Sequence, residues 1–210
     1  MIRRTRAAFL TALSVLTVGA LAAPAANANL LSILPGSCGN QAESQPFAQF
    51  GDHNEYTPVR GGNFEPGGAS WLLTGKAQVV SGNESFYVGG TGDSHSLSLP
   101  AGSSATSPFN CTNIYHPTLR MFVRNTGSPS SRLNVYAIYP ALLFGFAQTK
   151  IGTISATSSW EPTGQDSLGL SNLLATLSLS QTEISFEFVP ADSTGNWSVD
   201  DVYLDPFCRG

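Results

Sequence analysis

Apolar and polar residues alternate along much of the chain from residue 59 onward. In residues 118–124, three apolar side chains alternate with Arg120, Phe122 and Arg124. A repeat of two residues is that of a β-strand with one buried face. The apolar sets that we expect to face the core are Leu97 and Leu99; Leu119, Met121 and Val123; Leu133, Val135, Ala137 and Tyr139; and Ile184, Phe186 and Phe188.

Turn-forming residues separate these segments, as in the stretch 125–129 with its Asn, Gly and Pro. Further strands are predicted at residues 76–80, 85–88, 150–156 and 196–204. Residues 168–179 have leucines at helical spacing, which predicts a single helical turn at 172–175. Many short strands with so little helix predict an all-β fold, an antiparallel β-sandwich of the jelly-roll type.

The first 28 residues have the organisation of a secretory signal peptide. Arg3, Arg4 and Arg6 precede an apolar stretch, and Ala26-Asn27-Ala28 forms a small-x-small cleavage site. The apolar stretch is short and interrupted for a membrane anchor, which needs about 20 residues. We therefore predict an extracellular protein that starts at Asn29 and has no membrane segment after cleavage. An extended leader at 29–58, a sandwich domain at 59–206 and a tail at 207–210 would follow.

The charge balance of the mature chain narrows its partners. Removal of the signal peptide leaves seven Lys and Arg residues against fourteen Asp and Glu residues, a net charge of −7. Nucleic acids and anionic membranes require clustered positive charge, so neither is an expected partner.

Three cysteines remain after cleavage, and an exported protein is expected to form disulfides. We favour a Cys38–Cys111 bond, which would pin the leader onto the sandwich, with Cys38–Cys208 as the alternative. The odd count leaves one thiol over, so the protein is expected to be a monomer or a Cys208-linked dimer.

Two segments near the ends of the domain carry a family resemblance. Residues 61–75 contain Gly-Gly-Asn-Phe-Glu followed by Trp71, and residues 197–206 begin Trp-Ser-Val-Asp-Asp-Val-Tyr-Leu. Together they resemble the first and last strands of carbohydrate-binding modules with a galactose-binding-like fold. Shorter segments, such as the one at 96–104, are similar to secreted actinobacterial proteins of unassigned function. The resemblance implies that Trp71 and Trp197 belong to the core.

The same resemblance implies a structural Ca²⁺ where the first and last strands meet. Its typical carboxylate ligands correspond to Glu65 and Asp201 of this sequence. Calcium takes six to eight oxygen ligands, so two carboxylates together with backbone carbonyls suit it. The alternative is that these side chains are solvated carboxylates of a loop and an edge.

Sugar binding in such modules uses aromatic rings that stack on pyranose faces, with hydrogen bonds from amide and carboxylate groups. The candidate ligand-binding residues are Trp160, Tyr136, Arg120 and Arg124. Arg120 and Arg124 would share the non-core face of one strand, with Tyr136 on the next strand. An ordinary solvent face is the alternative interpretation.

No catalytic constellation is found in the sequence. Gly92-Asp93-Ser94 resembles an esterase nucleophile block, but the downstream elements of that class are absent and turn chemistry explains the three residues. We therefore expect a non-catalytic module that binds an extracellular or cell-wall polysaccharide. The alternatives are a structural or adhesive protein that uses the sandwich for protein contacts and, third, a hydrolase.

Overall fold

The computed structural model describes residues 42–65, 67, 70–112, 118–141, 145–164, 168–170 and 182–204. The predicted signal peptide, helical turn and C-terminal tail lie outside these ranges. The helical structure of the described residues is a 3₁₀ turn at Ala48–Phe50. None of their helices has the length and apolar character needed to cross a membrane.

Twelve strands are present in the described ranges. In chain order they are β1 Thr57–Pro58, β2 Leu72–Thr74, β3 Gln78–Ser81, β4 His95–Pro100, β5 Ser104–Thr106, β6 Asn110–Thr112, β7 Leu119–Asn125, β8 Leu133–Pro140, β9 Phe146–Ile154, β10 Glu161–Pro162, β11 Thr182–Pro190 and β12 Asn196–Leu204. They form two antiparallel sheets. The first sheet has the order β10-β7-β12-β4-β3, with β1 also paired to β12; the second has the order β2-β5-β11-β8-β9, with β6 also paired to β11.

The core lies between the two sheets, and the alternating pattern of the sequence accounts for it. The residues predicted to face inward on β4, β7, β8 and β11 are fully buried or nearly so, apart from Tyr139, which is partly buried against the core. Trp71 and Trp197 also belong to this core, as expected. The prediction of an all-β antiparallel sandwich is therefore confirmed.

A second apolar cluster covers part of the outer face of the first sheet. It is formed by residues 44–58, which we call the strap, packed on β7 and β12. Ser44 and Tyr56 exchange two backbone hydrogen bonds of 3.0 and 2.7 Å, and these close the strap into a loop. The Phe47 ring lies fully buried, with its centroid 5.4 Å from that of Phe122 and 5.8 Å from that of Tyr203.

Arg120 lies inside this second cluster, so the predicted open face is wrong at this residue. Its guanidinium carbon lies 3.9 Å from the centroid of the Phe47 ring, and its Nη1 atom pairs with the Asp52 carboxylate. The Nη2 atom also donates to the Thr163 carbonyl oxygen at 2.8 Å. Only 5% of Arg120 is exposed, which leaves it no room to contact a polysaccharide. The strap therefore buries Arg120 and Phe122 on the outward-facing side of β7.

The strand predicted at residues 85–88 is replaced by a turn. The Glu84 carboxylate accepts the backbone N–H groups of Phe86 and Val88, the latter at 2.7 Å. In a strand, these N–H groups would instead donate to a neighbouring strand. Tyr87 between them has a φ of +53°, in the left-handed region, and half of its surface is exposed. The hydrogen bonds to the Glu84 carboxylate therefore favour a turn over the strand that the apolar pattern of residues 85–88 predicts.

Cys111 lies on β6, buried against the second sheet. Cys38 and Cys208 lie outside the described residues, so the Cys38–Cys111 pairing stays a prediction.

Candidate functional site

The last strand is interrupted midway, and a group of carboxylates collects at the interruption. On one edge, β12 pairs with β4 through Asn196–Val199 and with β1 through Tyr203 and Leu204. On its other edge, the register with β7 shifts between Asp200 and Tyr203, as in a β-bulge. Asp201 takes a φ of +47° there. Its side chain consequently leaves the alternating pattern of the strand.

Four further carboxylates lie around Asp201. Their mutual repulsion is strong enough to affect their ionisation, as described below. We call this group the acidic cluster; it consists of Glu65, Glu84, Asp93, Asp200 and Asp201. Glu84, Asp200 and Asp201 are at most 2% exposed.

Asp93 and Asp201 approach each other beside Gly89. A Cβ atom on Gly89 would lie 2.6 Å from Asp201 Oδ1 and closer still to Asp93 Oδ2. Asp93 Oδ2 and Asp201 Oδ2 are both buried and accept no hydrogen bond from the protein. A buried carboxylate oxygen without a donor is costly, and a cation is one partner that removes the cost.

The fit to a cation is partial within the described residues. No three of their His, Cys, Asp and Glu side chains are spaced to bind one ion jointly. Two carboxylates are available, and hard cations such as Ca²⁺ complete their shells with carbonyl and water oxygens. The donor chemistry thus suits an oxygen-ligated cation held by two side chains.

Glu65, one of the two predicted ligands, uses its carboxylate mainly to hold a loop. Its Oε1 atom accepts the backbone N–H groups of Ser94 at 2.7 Å and His95 at 2.8 Å, and its Oε2 atom lies 3.2 Å from His95 Nδ1. The structure therefore places Glu65 in the acidic cluster with Asp201, while the oxygens without a donor belong to Asp93 and Asp201. The role of Glu65 as a metal ligand stays a prediction.

Ser94 and Glu65 both contact the Nδ1 atom of His95, Ser94 through its Oγ atom at 3.0 Å. A serine-nucleophile triad requires the serine and the carboxylate on different ring nitrogens. These three residues therefore do not form one.

Burial and mutual repulsion shape the ionisation of the cluster. Burial first, and then the Asp201 carboxylate, raise the pKa of Asp200 to about 9. Burial, Glu84 and Asp93 raise the pKa of Asp201 to about 7. Burial also acts to raise the pKa of Glu65, but the N–H groups of Ser94 and His95 outweigh it, and the net shift is downward. The cluster is an environment that favours protons or a metal cation over free carboxylates.

Sequence reasoning missed Asp93 and Glu84. Turn chemistry explains Gly92-Asp93-Ser94 in the sequence, and no spacing of residues links Glu84 or Asp93 to residues 200–201. The available signal in the sequence is that Glu84 and Asp93 lie in turns of a chain that has few charged residues.

Replacing Glu84 with glutamine should lower the free energy of unfolding by about 1–3 kcal/mol. The amide NH₂ would then face the N–H donors of the 85–88 turn, one of which would lose its acceptor. Urea denaturation measures the loss. Glu161→Gln is the matched control, since Glu161 accepts the N–H of Thr157 at an exposed position, and we expect less than about 0.5 kcal/mol there. Equal losses in the two variants would contradict the role of Glu84.

A cleft of about 650 Å³ opens beside the acidic cluster. Its walls come from the strap, the 58–63 segment and the bulge, and they include Glu43, Arg60, Asn63, Val88 and Asp201. The backbone of Val202 closes one wall, because it bonds to the Val59 N–H at 2.8 Å and to the Gly62 carbonyl at 3.1 Å.

The predicted ligand-binding residues do not converge on one face. Trp160 and Arg124 lie at the outer face of the first sheet, where the Arg124 guanidinium carbon is 4.8 Å from the centroid of the Trp160 ring. Tyr136 lies on β8, which belongs to the second sheet. The expectation that Tyr136 sits beside Arg120 and Arg124 is wrong, because β7 and β8 are consecutive in sequence but belong to opposite layers.

Tyr136 occupies a polar row on the outer face of the second sheet. In register across four strands, the row is Thr106, Glu187, Tyr136 and Lys150. Gln148 donates a hydrogen bond from its amide to the Glu187 carboxylate. Tyr136 is half-buried, while Lys150 and Gln148 are exposed. The row therefore offers one aromatic ring with hydroxyl, carboxylate, amide and ammonium groups within a few strand spacings.

Comparison with protein families and with curated proteins finds no match. Among solved structures, the chain is similar to TmCBM61 in complex with β-1,4-galactotriose, with 13% identity and a TM-score of 0.40 over 70% of this chain and 95% of that one. It is also similar to the CBM22-1 xylan-binding domain of Paenibacillus barcinonensis Xyn10C, with 12% identity and a TM-score of 0.43 over 67% and 87% of the two chains. A third similar structure is the enzymatically active domain of bacteriophage CBA120 tailspike protein 4, with 17% identity and a TM-score of 0.42 over 70% and 21%. Carbohydrate-binding modules are thus among the structures that this chain resembles.

Proposed function

We propose that this chain is a non-catalytic, extracellular protein that binds polysaccharide on the outer face of its second sheet. The observation that carries the proposal is the row centred on Tyr136. A pyranose ring has an apolar C–H face, which an aromatic ring contacts well, and a rim of hydroxyl groups. Glu187 and Gln148 supply acceptors and donors for that rim, and Lys150 supplies further donors.

The layout of the row suits an extended ligand. Neighbouring strands lie about 4.8 Å apart, so the three accessible residues Glu187, Tyr136 and Lys150 span roughly 10 Å. Thr106, at the end of the row, is only 7% exposed. Glu187 and Lys150 flank Tyr136 on the two neighbouring strands. Their opposite charges lie either side of the ring, which favours an uncharged, hydroxyl-rich ligand over a strongly ionic one.

The acidic cluster serves this function as a structural calcium site in our proposal. Asp93 and Asp201 would bind the ion through the oxygens that lack a donor in the protein. Glu65 and Glu84 would hold the two loops that bring these ligands together. The ion would neutralise buried charge and fix the bulge of β12, with no part in a reaction.

The polysaccharide proposal is tested by retention of residues 29–210 on a panel of neutral insoluble polysaccharides. We expect selective retention on at least one polymer and at least 10-fold weaker binding by the Tyr136→Ala variant, a change of about 1.4 kcal/mol. Tyr87→Ala is the matched control, because Tyr87 is an exposed tyrosine on the 84–88 turn. No retention of folded protein on any polymer, or equal losses in both variants, would overturn the proposal.

A further inference from the structure

Arg124 is a cation without an anionic partner among the described residues. The ion pairs found in those ranges are His95 with Glu65 and Arg120 with Asp52. Within the described ranges, the Arg124 side chain donates one hydrogen bond, from its Nε atom to Ser198 Oγ at 3.3 Å. On the outward-facing side of β7, Phe122 lies two residues before Arg124. Arg120 lies two residues before Phe122, and its guanidinium pairs with the Asp52 carboxylate. Among the described residues, Arg120 therefore has an anionic partner and Arg124 has none.

Trp160 fixes the position of Arg124. The guanidinium carbon lies 4.8 Å from the centroid of the indole ring, within the range of a cation–π contact. Trp160 is itself packed against the second apolar cluster. An arginine held on a packed ring loses less freedom on binding than a surface lysine does, so its remaining donors are set in place in advance.

Polar side chains on the neighbouring strands of the first sheet lie in line with Arg124. In register with Arg124 are Ser198 on β12, Ser98 on β4 and Gln78 on β3. Ser98 is partly exposed and Gln78 is exposed. The strap and the 84–88 turn pack on Phe122, which lies two residues before Arg124 on β7. The row from Arg124 to Gln78 thus lies beside the covered area and offers hydroxyl and amide groups next to a fixed guanidinium.

We propose that this row, the Arg124 row, is a second binding site that recognises a carboxylate-bearing sugar, a hexuronate unit of a polysaccharide. Guanidinium groups bind carboxylates through two parallel N–H donors, which makes the contact both strong and directional. Ser98 and Gln78 would hydrogen bond the ring hydroxyls of the same or the next unit. That the carboxylate belongs to a sugar rests on the proposed function, whereas recognition of the carboxylate rests on Arg124 alone.

The net negative charge of the whole protein limits where a polyanion can bind. The mature chain has a net charge of −7, so a polyanion is repelled by the molecule at large. Binding of an acidic polysaccharide therefore requires a local cationic site rather than a diffuse positive surface. Salt should weaken this contact only in proportion to the one or few charges involved.

The experiment compares polygalacturonate with its fully methyl-esterified form, in which the same backbone lacks the charged groups. We expect the wild-type protein to bind polygalacturonate at least 10-fold more tightly than the ester. Arg124→Gln should abolish this preference, and Arg124→Lys should restore part of it. Arg132→Gln is the matched control, because Arg132 is an arginine that donates to the carbonyl groups of residues 129–131. Thermal unfolding of each variant confirms that it is folded.

The outcomes separate the two proposals. Loss of carboxylate preference in Arg124→Gln, with Tyr136→Ala unchanged in that preference, supports the Arg124 row whether or not neutral polymers bind. Equal binding of the acid and the ester by the wild-type protein, no binding of either, or a preference that survives in Arg124→Gln would each overturn the Arg124 row. Loss of neutral-polymer binding in Tyr136→Ala alone concerns the second sheet and leaves the Arg124 row standing.

Discussion

Replacing Phe47 with alanine should lower the free energy of unfolding by about 3–5 kcal/mol, the range for a fully buried phenylalanine. The Phe47 ring contacts Tyr56, Phe122 and Tyr203 and covers the guanidinium of Arg120. Its loss would leave a cavity among Tyr56, Phe122 and Tyr203, the other buried rings of this cluster. For a domain of this size we expect the melting temperature to fall by roughly 6–20 °C.

Phe50→Ala is the matched control for this prediction. Phe50 is three residues further along the strap, but 38% of it is exposed, although its ring also contacts Phe86 and Phe122. We expect a loss of about 1 kcal/mol there, since much of the ring already meets water. Urea denaturation of the two variants measures the difference. Similar small losses in both would mean that the strap is a peripheral segment rather than part of the folded unit.

The strap also shows where sequence reasoning reaches its limit. The inward-facing rows of β4, β7, β8 and β11 follow from a period of two, because each strand needs only to place one face in the core. The outward row with Arg120 and Phe122 has the same period. Whether it meets water depends on a segment about seventy residues away. Phe47 and Tyr56 in the leader indicate that something must be covered, without indicating which face.

For the acidic cluster too, the sequence predicts part of the arrangement and tertiary packing decides the rest. Glu65 and Asp201 lie in one region because the backbone of Val202 hydrogen bonds to the N–H of Val59 and to the carbonyl of Gly62, close to the turn that carries Glu65. Asp93 arrives there through the loop that Glu65 holds by Ser94 and His95. Asp201 points at it because of a left-handed residue in a bulge. Both are consequences of tertiary packing, and no local spacing of residues encodes them.

The pairing of strands into layers is the third property that local patterns leave open. Tyr136 and Arg124 lie on consecutive strands, and consecutive strands are often neighbours in one sheet. Here the connection between β7 and β8 crosses from one sheet to the other. The predicted single polar face therefore becomes two faces on opposite sides of the sandwich, and each of them carries its own proposal.

Calcium should raise the melting temperature of the protein, and a chelator should reverse the change. At a free concentration of about 100 times its Kd, a ligand of the folded state adds about 2.7 kcal/mol. For a domain of this size, that corresponds to roughly 5–10 °C. Differential scanning calorimetry of the same sample with Ca²⁺ and with chelator measures the shift. Magnesium serves as the comparison cation, because it requires a smaller and more regular shell.

The size of this shift should depend on pH, with a sign that follows from the raised pKa values. Burial raises the pKa of Asp201 to about 7 and that of Asp200 to about 9, whereas an aspartate in an unfolded chain has a pKa of about 3.9. Between these limits the folded, cation-free protein holds protons that the unfolded chain has released. Its stability therefore falls as the pH rises from about 4 to about 9. Because calcium replaces those protons, the difference between calcium and chelator should be small near pH 5 and large near pH 8.5.

Asp201→Asn distinguishes a cation ligand from a structural carboxylate. The variant removes one of several buried charges that repel each other, so without calcium at pH 8 it should be at least as stable as the wild-type protein. With calcium it should be less stable than the wild-type protein, because the response to the ion is lost. Asp192→Asn, at an exposed turn, should keep the full response. A purely structural role for Asp201 predicts destabilisation under both conditions, so the opposite signs expected with and without the ion decide between the two interpretations.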